Sequence, residues 1–598
     1  MKNSYSPLVR LGRYCLAAVL LLAGFGTRAQ APGWNRLVLP TATSTTSAGI
    51  VASVADASGN VYILGHCAGS TTFGSTTFTF SASGADTYVA KWNPTAGFVW
   101  AIRGGGGSGA SDADNAYITP IGLAIQGNSL YLAGTFDGPT AAFGSTILQN
   151  GGQSLMTRNS FVAKITDAGT SASFAWAQRL SFASLQGSGF SLAALAASGS
   201  SLYVTGFFQG ATFSVGGIAL TNAGIADIYL AKLTDAGSSA SVVWAQRAGG
   251  NFNDQASALA VRGSSVYLTG FTNSASASFG SVSVPAIGSF VKNVFVARLN
   301  DAGTTGSFVW ATRAGSANTS DVSGAQLALS GGSVYVAGLY SGDATLGASS
   351  LPTVSSSDYN VYVGKLSDAG SSGVFVWGQA AGSTGIDYAE GLAANGTGVY
   401  LTGHFTGPTA TFGTTALPNA NSSAVYLAKL TDAGATGAFA WAQQGGASTT
   451  APTSLRSLAA GVLLGPGQGY VLGNLAGSYT GGTPPSRTPA TCGSLSLTTP
   501  GSDMPFIATF LDNGLLATAP AAARPAPSLW PNPAHGTATV RRSAGADYHF
   551  LTLTDALGRE LRRYPAALAP ETTLDLHGLP AGVYLLHAGP SAQRLTVE

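Results

Sequence analysis

A short tryptophan motif recurs along the chain and constrains the fold more than any other feature. Six segments end in an apolar residue, a tryptophan, two further residues and usually an Arg or Gln, as in FVWAIRGG and VVWAQRAGG. The motif falls at Trp100, Trp176, Trp244, Trp310, Trp377 and Trp441, so it repeats every 64 to 76 residues. A period near 66 is too long for a β-helix coil and exceeds the roughly 40–50 residues of common propeller blades.

Each repeat contains four strand-like segments rich in Val, Phe, Tyr, Leu and Thr, as at 257–263, 265–271, 294–300 and 307–313. The third and fourth segments are joined by an Asp-Ala-Gly turn, in which Asp bonds back to the backbone and Gly supplies a positive φ. These turns begin at Asp167, Asp235, Asp301, Asp368 and Asp432. The aspartates are therefore predicted to be structural. Four antiparallel strands in tandem are typical of propeller blades.

The two ends of the array predict how it closes. The segment 33–37 (GWNRL) resembles a fourth strand with nothing in front of it, whereas the last unit ends at Asp512 without a fourth strand. Trp34 then supplies the seventh fourth strand. The predicted fold is all-β: a seven-bladed β-propeller over residues 32–514, closed by its N-terminal strand.

A long excursion between the second and third strands carries a Phe-Gly pair in most repeats, and this Phe is predicted to plug the blade edge. Cys492 takes the Phe position in the last repeat, and Cys67 aligns with apolar residues at the end of the second strand. Both cysteines are therefore expected to be small buried side chains. The sequence leaves open whether Cys67 and Cys492 form a disulfide across the closure.

Three features of the repeat match a known family: GNVYILG (59–65), ADTYVAK (85–91) and the tail Gly-x-x-x-Trp. On these features the repeat resembles the bacterial β-propeller repeat family SBBP over most of residues 32–514. The resemblance implies the propeller fold. That family has no single agreed activity, so it implies little about function.

The first 31 residues have the layout of a secretory signal peptide. Lys2, Arg10 and Arg13 precede the short apolar run 16–24, and Ala-Gln-Ala at 29–31 is a small-x-small cleavage site. The apolar run is too short to span a membrane, and no later stretch is long enough. An uncleaved anchor is the alternative.

The C-terminal part begins with an Ala/Pro-rich linker at 515–526. Alternating segments over 527–598 predict a small Ig-like β-sandwich. This part resembles the type A C-terminal sorting domain of type IX secretion cargo. The matching residues are Pro531, Asn532, Pro533, Asp555, Gly558, Arg559, Leu579, Pro580, Gly582 and Tyr584. The resemblance implies handling by the type IX machinery, export across the outer membrane, removal of the domain, and release or tethering to surface lipopolysaccharide. A plain fibronectin-like module is the alternative.

Composition argues against several functional classes. Only 9% of residues are charged and the net charge is +2, so nothing indicates nucleic-acid binding. Glu390 is the only Glu in residues 32–514, which excludes a pair of catalytic glutamates there. The two histidines of that region, His66 and His404, are interpreted as partly buried structural residues. Known nucleotide, zinc and serine-hydrolase motifs are absent from the sequence.

Acidic residues mark the connections that a propeller would present on one face. Their side chains either cap loop backbone groups or form a ring of oxygen ligands for a cation or sugar hydroxyls. The candidate ligand face comprises Asp114, Asp254, Asp321, Asp387 and Tyr388. The sequence assigns no cofactor, no metal ligand and no catalytic residue. It leaves open whether calcium binds.

The predicted function is non-enzymatic: a secreted or outer-membrane-attached propeller that binds a glycan or protein ligand. One alternative is a secreted carbohydrate-active hydrolase or lyase that uses the aspartates of the candidate face. Another is a structural surface-layer or matrix component. The ligand, the choice between release and anchoring, and the oligomeric state are not fixed by the sequence.

Overall fold

The computed structural model describes residues 31–42, 47–79, 86–105, 117–150, 158–182, 189–288, 291–316, 320–352, 358–420, 423–447, 456–476, 489–498, 503–512, 515, 528–541, 550–555, 560–565, 571–588 and 591–598. The signal-peptide prediction, Asp114, Gly558 and Arg559 lie outside these residues. The described chain is all-β, and it contains no helix long and apolar enough to cross a membrane. Its contacts divide the chain into two compact units, 1–517 and 518–598.

The strands of the first unit follow the repeats of the sequence. The first repeat and the segment before it contain β1 (Trp34–Val38), β2 (Thr41–Ala42), β3 (Ser47–Ala55), β4 (Val61–Ala68), β5 (Ser70–Phe73), β6 (Thr76–Thr79), β7 (Asp86–Asn93) and β8 (Gly97–Gly104). The second contains β9 (Tyr117–Gln126), β10 (Ser129–Asp137), β11 (Thr140–Phe143), β12 (Thr146–Gln149), β13 (Asn159–Asp167) and β14 (Ala172–Phe182). The third contains β15 (Phe190–Ser198), β16 (Ser201–Gln209), β17 (Thr212–Val215), β18 (Ile218–Thr221), β19 (Ala226–Asp235) and β20 (Ala240–Gly249). The fourth contains β21 (Asp254–Arg262), β22 (Ser265–Thr272), β23 (Ser276–Phe279), β24 (Val282–Pro285), β25 (Asn293–Asp301) and β26 (Gly306–Ala314).

The last three repeats have the same order. The fifth contains β27 (Val322–Ser330), β28 (Ser333–Tyr340), β29 (Ala344–Leu346), β30 (Ser349–Leu351), β31 (Asn360–Asp368) and β32 (Gly373–Gly382). The sixth contains β33 (Asp387–Asn395), β34 (Gly398–Phe405), β35 (Thr409–Phe412), β36 (Thr415–Pro418), β37 (Ala424–Asp432) and β38 (Gly437–Ala447). The seventh contains β39 (Arg456–Gly465), β40 (Gln468–Ala476), β41 (Pro489–Cys492), β42 (Leu495–Thr498) and β43 (Asp503–Phe510).

The four long strands of each repeat pair in antiparallel order, as β21–β22–β25–β26 shows. The first strands of the described repeats contact one another in a closed cycle, β3, β9, β15, β21, β27, β33, β39 and back to β3. β1 pairs antiparallel with β43 and so supplies the fourth strand of the seventh repeat, as the chain ends predict. The first strands therefore surround a common axis.

The register of β1 corrects one detail of the sequence interpretation. The recurring tryptophans lie opposite the strand-three lysine or arginine, as Trp100 lies opposite Lys91. In the seventh repeat the residue at that position is Arg36, opposite Thr509, whereas Trp34 lies opposite Phe510. Trp34 thus takes the place that a phenylalanine holds in most other repeats, as Phe439 does opposite Leu430. The motif alone could not show this shift, because a bulge separates Trp34 from Arg36.

The Asp-Ala-Gly turns do more than close hairpins, because their carboxylates hold neighbouring repeats together. Asp301 accepts hydrogen bonds from Tyr203 Oη at 2.6 Å, Lys232 Nζ at 2.6 Å and Trp244 Nε1 at 3.1 Å, all from the preceding repeat, and from Gly303 N at 2.9 Å. The same arrangement recurs at Asp167, Asp235, Asp368 (with Arg298 for the lysine) and Asp432. These five clusters are called the aspartate latches below.

The junction between the seventh and first repeats uses different contacts. Asn474 donates to Ile50 O at 3.0 Å and accepts from Ile50 N at 2.8 Å, so one side chain pairs with the first strand of the next repeat. The Arg36 guanidinium lies over Trp92, 5.5 Å from the ring centroid. The Tyr470 hydroxyl donates to Gly59 O at 2.9 Å.

The excursions form short hairpins, and their apolar residue is buried in each described case. Phe73, for example, is 1% exposed and packs edge-to-face against Phe98 at 5.3 Å between centroids. In the seventh repeat the smaller Cys492 lies in the hairpin and the larger Trp34 in the fourth strand. The large Trp34 side chain therefore compensates for the small volume of Cys492. Cys67 and Cys492 are both buried, as predicted, and they do not form a disulfide.

Leu515 is buried in the core of the seventh repeat and its N–H donates to Asp512 O at 2.8 Å. It therefore packs with the first unit. The second unit comprises β44 (Ser528–Trp530), β45 (Thr537–Arg541), β46 (Phe550–Thr554), β47 (Glu560–Pro565), β48 (Glu571–Asp575), β49 (Gly582–Ala588) and β50 (Ser591–Val597). These strands form a three-stranded and a four-stranded sheet that share one core.

Candidate functional site

An axial cavity of about 310 Å³ lies inside the ring of first strands and is lined by residues of all seven repeats. Each described first strand has a β-bulge at the level of this cavity, and bulges re-aim side chains. The residues left unpaired at the bulges are Val51, Ile121, Ala193, Ser257, Ala325, Glu390 and Ala460. Six of these are small or apolar, so Glu390 is the exception.

Glu390 is the only ionisable side chain in the lining, where Ser53, Ser257 and Gln326 add neutral polar groups. Its side chain is 26% exposed, and its Oε2 lies 3.1 Å from Nδ1 of His404. The two atoms lack hydrogen-bond geometry, and neither has another hydrogen-bond partner among the described residues. The cavity therefore holds one partly exposed carboxylate, whose Oε2 is buried against His404.

Tyr388 extends this group toward the start of β33. Its ring stacks on the His404 ring at 4.4 Å between centroids, yet the residue is 36% exposed. Tyr426 Oη donates to the Tyr388 carbonyl at 2.8 Å, which fixes the backbone. A Cβ at Gly403 would lie 1.7 Å from that carbonyl oxygen, so only glycine permits the pairing. The strand thus presents one aromatic ring and one carboxylate two residues apart.

The described aspartates of the candidate face, Asp254, Asp321 and Asp387, do not line the cavity, and two of them are buried. Asp254 is fully buried, and it accepts hydrogen bonds from Gly250 N and Ser274 Oγ, each at 2.7 Å, and from the Thr272 hydroxyl. Its oxygens therefore cap the loop that leads into its own strand.

Asp387 is likewise 1% exposed and accepts from Ser383 N and Ser383 Oγ at 2.6 Å. Asp321 is partly exposed, accepts from Lys292 N at 3.0 Å and lies 3.7 Å from Lys292 Nζ. Among the described residues of the candidate face, Tyr388 is the one that contacts His404, the neighbour of Glu390. No described cluster of three or more His, Cys, Asp or Glu side chains could hold a metal ion.

Burial raises the pKa of Asp387 to about 6, against the opposing effect of the Ser383 hydrogen bonds. The native state therefore binds this proton more tightly than the unfolded chain, and the stability of the wild type falls as the pH rises from about 4 to 6. We expect Asp387→Asn to remove this fall in stability. The free energy of unfolding of the variant, relative to that of the wild type, is then expected to rise by about 2–3 kcal/mol from pH 4 to pH 7. Urea unfolding at both pH values measures the difference. Asp321→Asn is the control, and an equal effect of Asp387→Asn at both pH values would contradict the assignment.

Sequence reasoning named Glu390 only to exclude a glutamate pair and interpreted His404 as structural. His404 is indeed buried, at 5% exposure. The available signal was that the single Glu of the repeats stands where other repeats have small or apolar residues.

The second unit organises several residues of the sorting motif. Asn532 accepts from Thr596 N at 2.8 Å and donates to Arg594 O at 2.7 Å, so the Pro-Asn-Pro segment is tied to the last strand. Tyr584 Oη donates to Pro580 O at 2.6 Å. The remaining described motif residues occupy the same unit: Pro531, Pro533, Asp555, Leu579 and Gly582.

Comparisons with known proteins give a family match for the second unit. No curated protein matches the chain. Similar solved structures include the phage phi92 endosialidase (8% identity, 94% of this chain and 88% of that one, TM-score 0.36) and the Trypanosoma rangeli sialidase (10%, 95% and 88%, TM-score 0.27). Plexin A4 is another (8%, 93% and 62%, TM-score 0.30). The family model of the secretion system C-terminal sorting domain matches residues 528–597, so the chain carries a type IX sorting domain, which implies secretion and attachment at the cell surface.

Proposed function

We propose that the first unit is a seven-bladed β-propeller, closed by its N-terminal strand, that serves as a non-enzymatic glycan-binding module at the cell surface. The second unit is an Ig-like β-sandwich that delivers it through the type IX machinery. The repeats then belong with the SBBP propellers.

The observation that carries this proposal is that Glu390 lines the axial cavity and the exposed ring of Tyr388 lies two residues before it on the same strand. An exposed aromatic ring offers an apolar face to a sugar ring, and a partly exposed carboxylate can accept hydrogen bonds from hydroxyl or amino groups. Gln326, Ser53 and Ser257 add neutral hydrogen-bonding groups to the same lining. Few polar groups placed in a mostly apolar cavity are typical of ligand sites.

The same inventory favours binding over hydrolysis. Glycoside hydrolysis ordinarily needs two carboxyl groups on opposite sides of the scissile bond. Glu390 is the only carboxylate in the lining, while Asp254 and Asp387 are buried and occupied by loop donors.

A glycan array followed by calorimetry on the mature secreted protein tests the proposal. We expect saturable binding and an at least tenfold weaker affinity for Tyr388→Ala, which is about 1.4 kcal/mol, because the variant loses the aromatic platform. Val374→Ala is the matched control, since Val374 is also exposed, at 59%, but lies in the fourth strand of another repeat. Absence of saturable glycan binding would contradict the proposal and favour a structural role in the cell-surface matrix.

A further inference from the structure

The charge of the axial cavity is unbalanced. Lys and Arg are absent from its described lining, and Glu390 is its only formal charge. The strand-three lysines, such as Lys232, and Arg298 are engaged in the aspartate latches instead. The negative charge of Glu390 thus has no basic side chain beside it except His404.

His404 lies beside this charge but makes no hydrogen bond to it. Its Nδ1 lies 3.1 Å from Glu390 Oε2, but the contact fails the angular requirement of a hydrogen bond. His404 is also held face-to-face against Tyr388, which fixes the plane of its ring. A carboxylate in a partly desolvated cavity gains more from a cation that can approach along its lone pairs.

We infer that the sugar recognised by the cavity carries a protonated primary amine, and that Glu390 binds this ammonium group. This inference rests on the proposed glycan-binding function and names its ligand class. An ammonium can donate hydrogen bonds to the carboxylate and brings a charge of opposite sign, whereas an anionic sugar would meet Glu390 with like charge.

The size of the cavity fits one sugar unit. Its volume of about 310 Å³ is roughly twice that of the 150 Å³ engineered cavity that holds benzene, so a six-membered ring with substituents can enter. Tyr388, two residues from Glu390, is placed to cover a neighbouring part of the chain of sugars. A 2-amino sugar oligomer is therefore a suitable probe.

Calorimetry on the mature protein with three matched probes tests the inference: a glucosamine oligomer, the N-acetylglucosamine oligomer of equal length, and a sialylated oligosaccharide. We expect the amine form to bind at least tenfold more tightly than the acetylated form, and the sialylated one to bind most weakly. Glu390→Gln, which keeps the shape, is expected to abolish the preference for the amine. Ser257→Ala, at the equivalent bulge, is expected to keep it.

The outcomes separate the two proposals. Binding of acetylated or sialylated oligomers at least as tight as that of the amine form overturns the inference and leaves the glycan-binding function standing. An amine preference that survives in Glu390→Gln also overturns it. Failure of every glycan to bind overturns both. Propylamine is a fourth probe. If it competes with the glucosamine oligomer at similar concentration, the site binds any amine; if it does not, the site also needs the sugar ring.

Discussion

Deletion of Gly33–Leu37 is expected to destabilise the whole first unit by about 4 kcal/mol or more. The deletion removes most of β1 and leaves the edge of β43 unpaired. It also removes Trp34, which packs against Phe510 and near Cys492, and loss of a packed tryptophan alone costs about 3–5 kcal/mol. Differential scanning calorimetry of the first-unit transition measures the effect. An unchanged Tm would show that β1 does not close the ring.

A milder pair of variants controls for simple damage. Trp34→Phe is expected to leave a gap beside the small Cys492, because a phenylalanine in the fourth strand has a second phenylalanine as its partner elsewhere, as Phe98 has Phe73. Adding Cys492→Phe restores that combination and is expected to recover most of the loss. Additive losses of stability in the double variant would contradict the compensation of side-chain volume between the two positions.

Asp301→Ala is expected to lower the free energy of unfolding by about 3–5 kcal/mol, because it leaves the buried ammonium of Lys232 without its partner. The side chains of Lys232 and Asp301 are only 6% and 7% exposed. The variant also removes the acceptor of Tyr203 and Trp244. Urea unfolding measures the loss, and Asp321→Ala, at a partly exposed ion pair, provides the control. A loss for Asp301→Ala no larger than for the control would show that the latch contributes little.

The aspartate latches also set the acid stability. Burial alone would raise the pKa of Asp301, but hydrogen bonds from Lys232, Tyr203, Gly303 and Trp244 outweigh it and hold the pKa below its ordinary value. The other four latch aspartates shift in the same direction. A lowered native pKa gives stability that is complete above the unfolded value near 4 and is lost as the pH falls through the native value. Acid unfolding is therefore expected below pH 4, at a higher pH for Asp301→Asn than for wild type.

The sequence predicted the fold more fully than the site, for physical reasons. Strand-forming segments and Asp-Ala-Gly turns are local signals, so they located the strands and the hairpin role of Asp301. Its partners Tyr203, Lys232 and Trp244 come from another repeat, and no local pattern joins them. Glu390 and His404 belong to one repeat but are also not joined by a local pattern, because they meet through the pairing of β33 with β34.

The sequence indicates the loop aspartates as candidate ligands, because acidic residues on one face of a propeller can converge. Asp254 and Asp387 instead satisfy backbone donors of their own loops, which is the alternative the sequence also allowed. Arg36 could not be placed opposite Thr509 from the motif, since a single bulge moves the register of Trp34.

The junction formed by Asn474, Arg36 and the Trp34–Cys492 pair has a consequence for how such a chain can change in length. The five aspartate latches are interchangeable contacts between similar repeats, whereas the junction depends on residues found at only one place in the ring. Duplication or loss of an internal repeat by recombination would preserve latch chemistry and keep both ends able to meet. Loss of the first or last repeat would remove the matching surfaces themselves. Ring size can therefore drift through the interior repeats, while the terminal repeats must be inherited together.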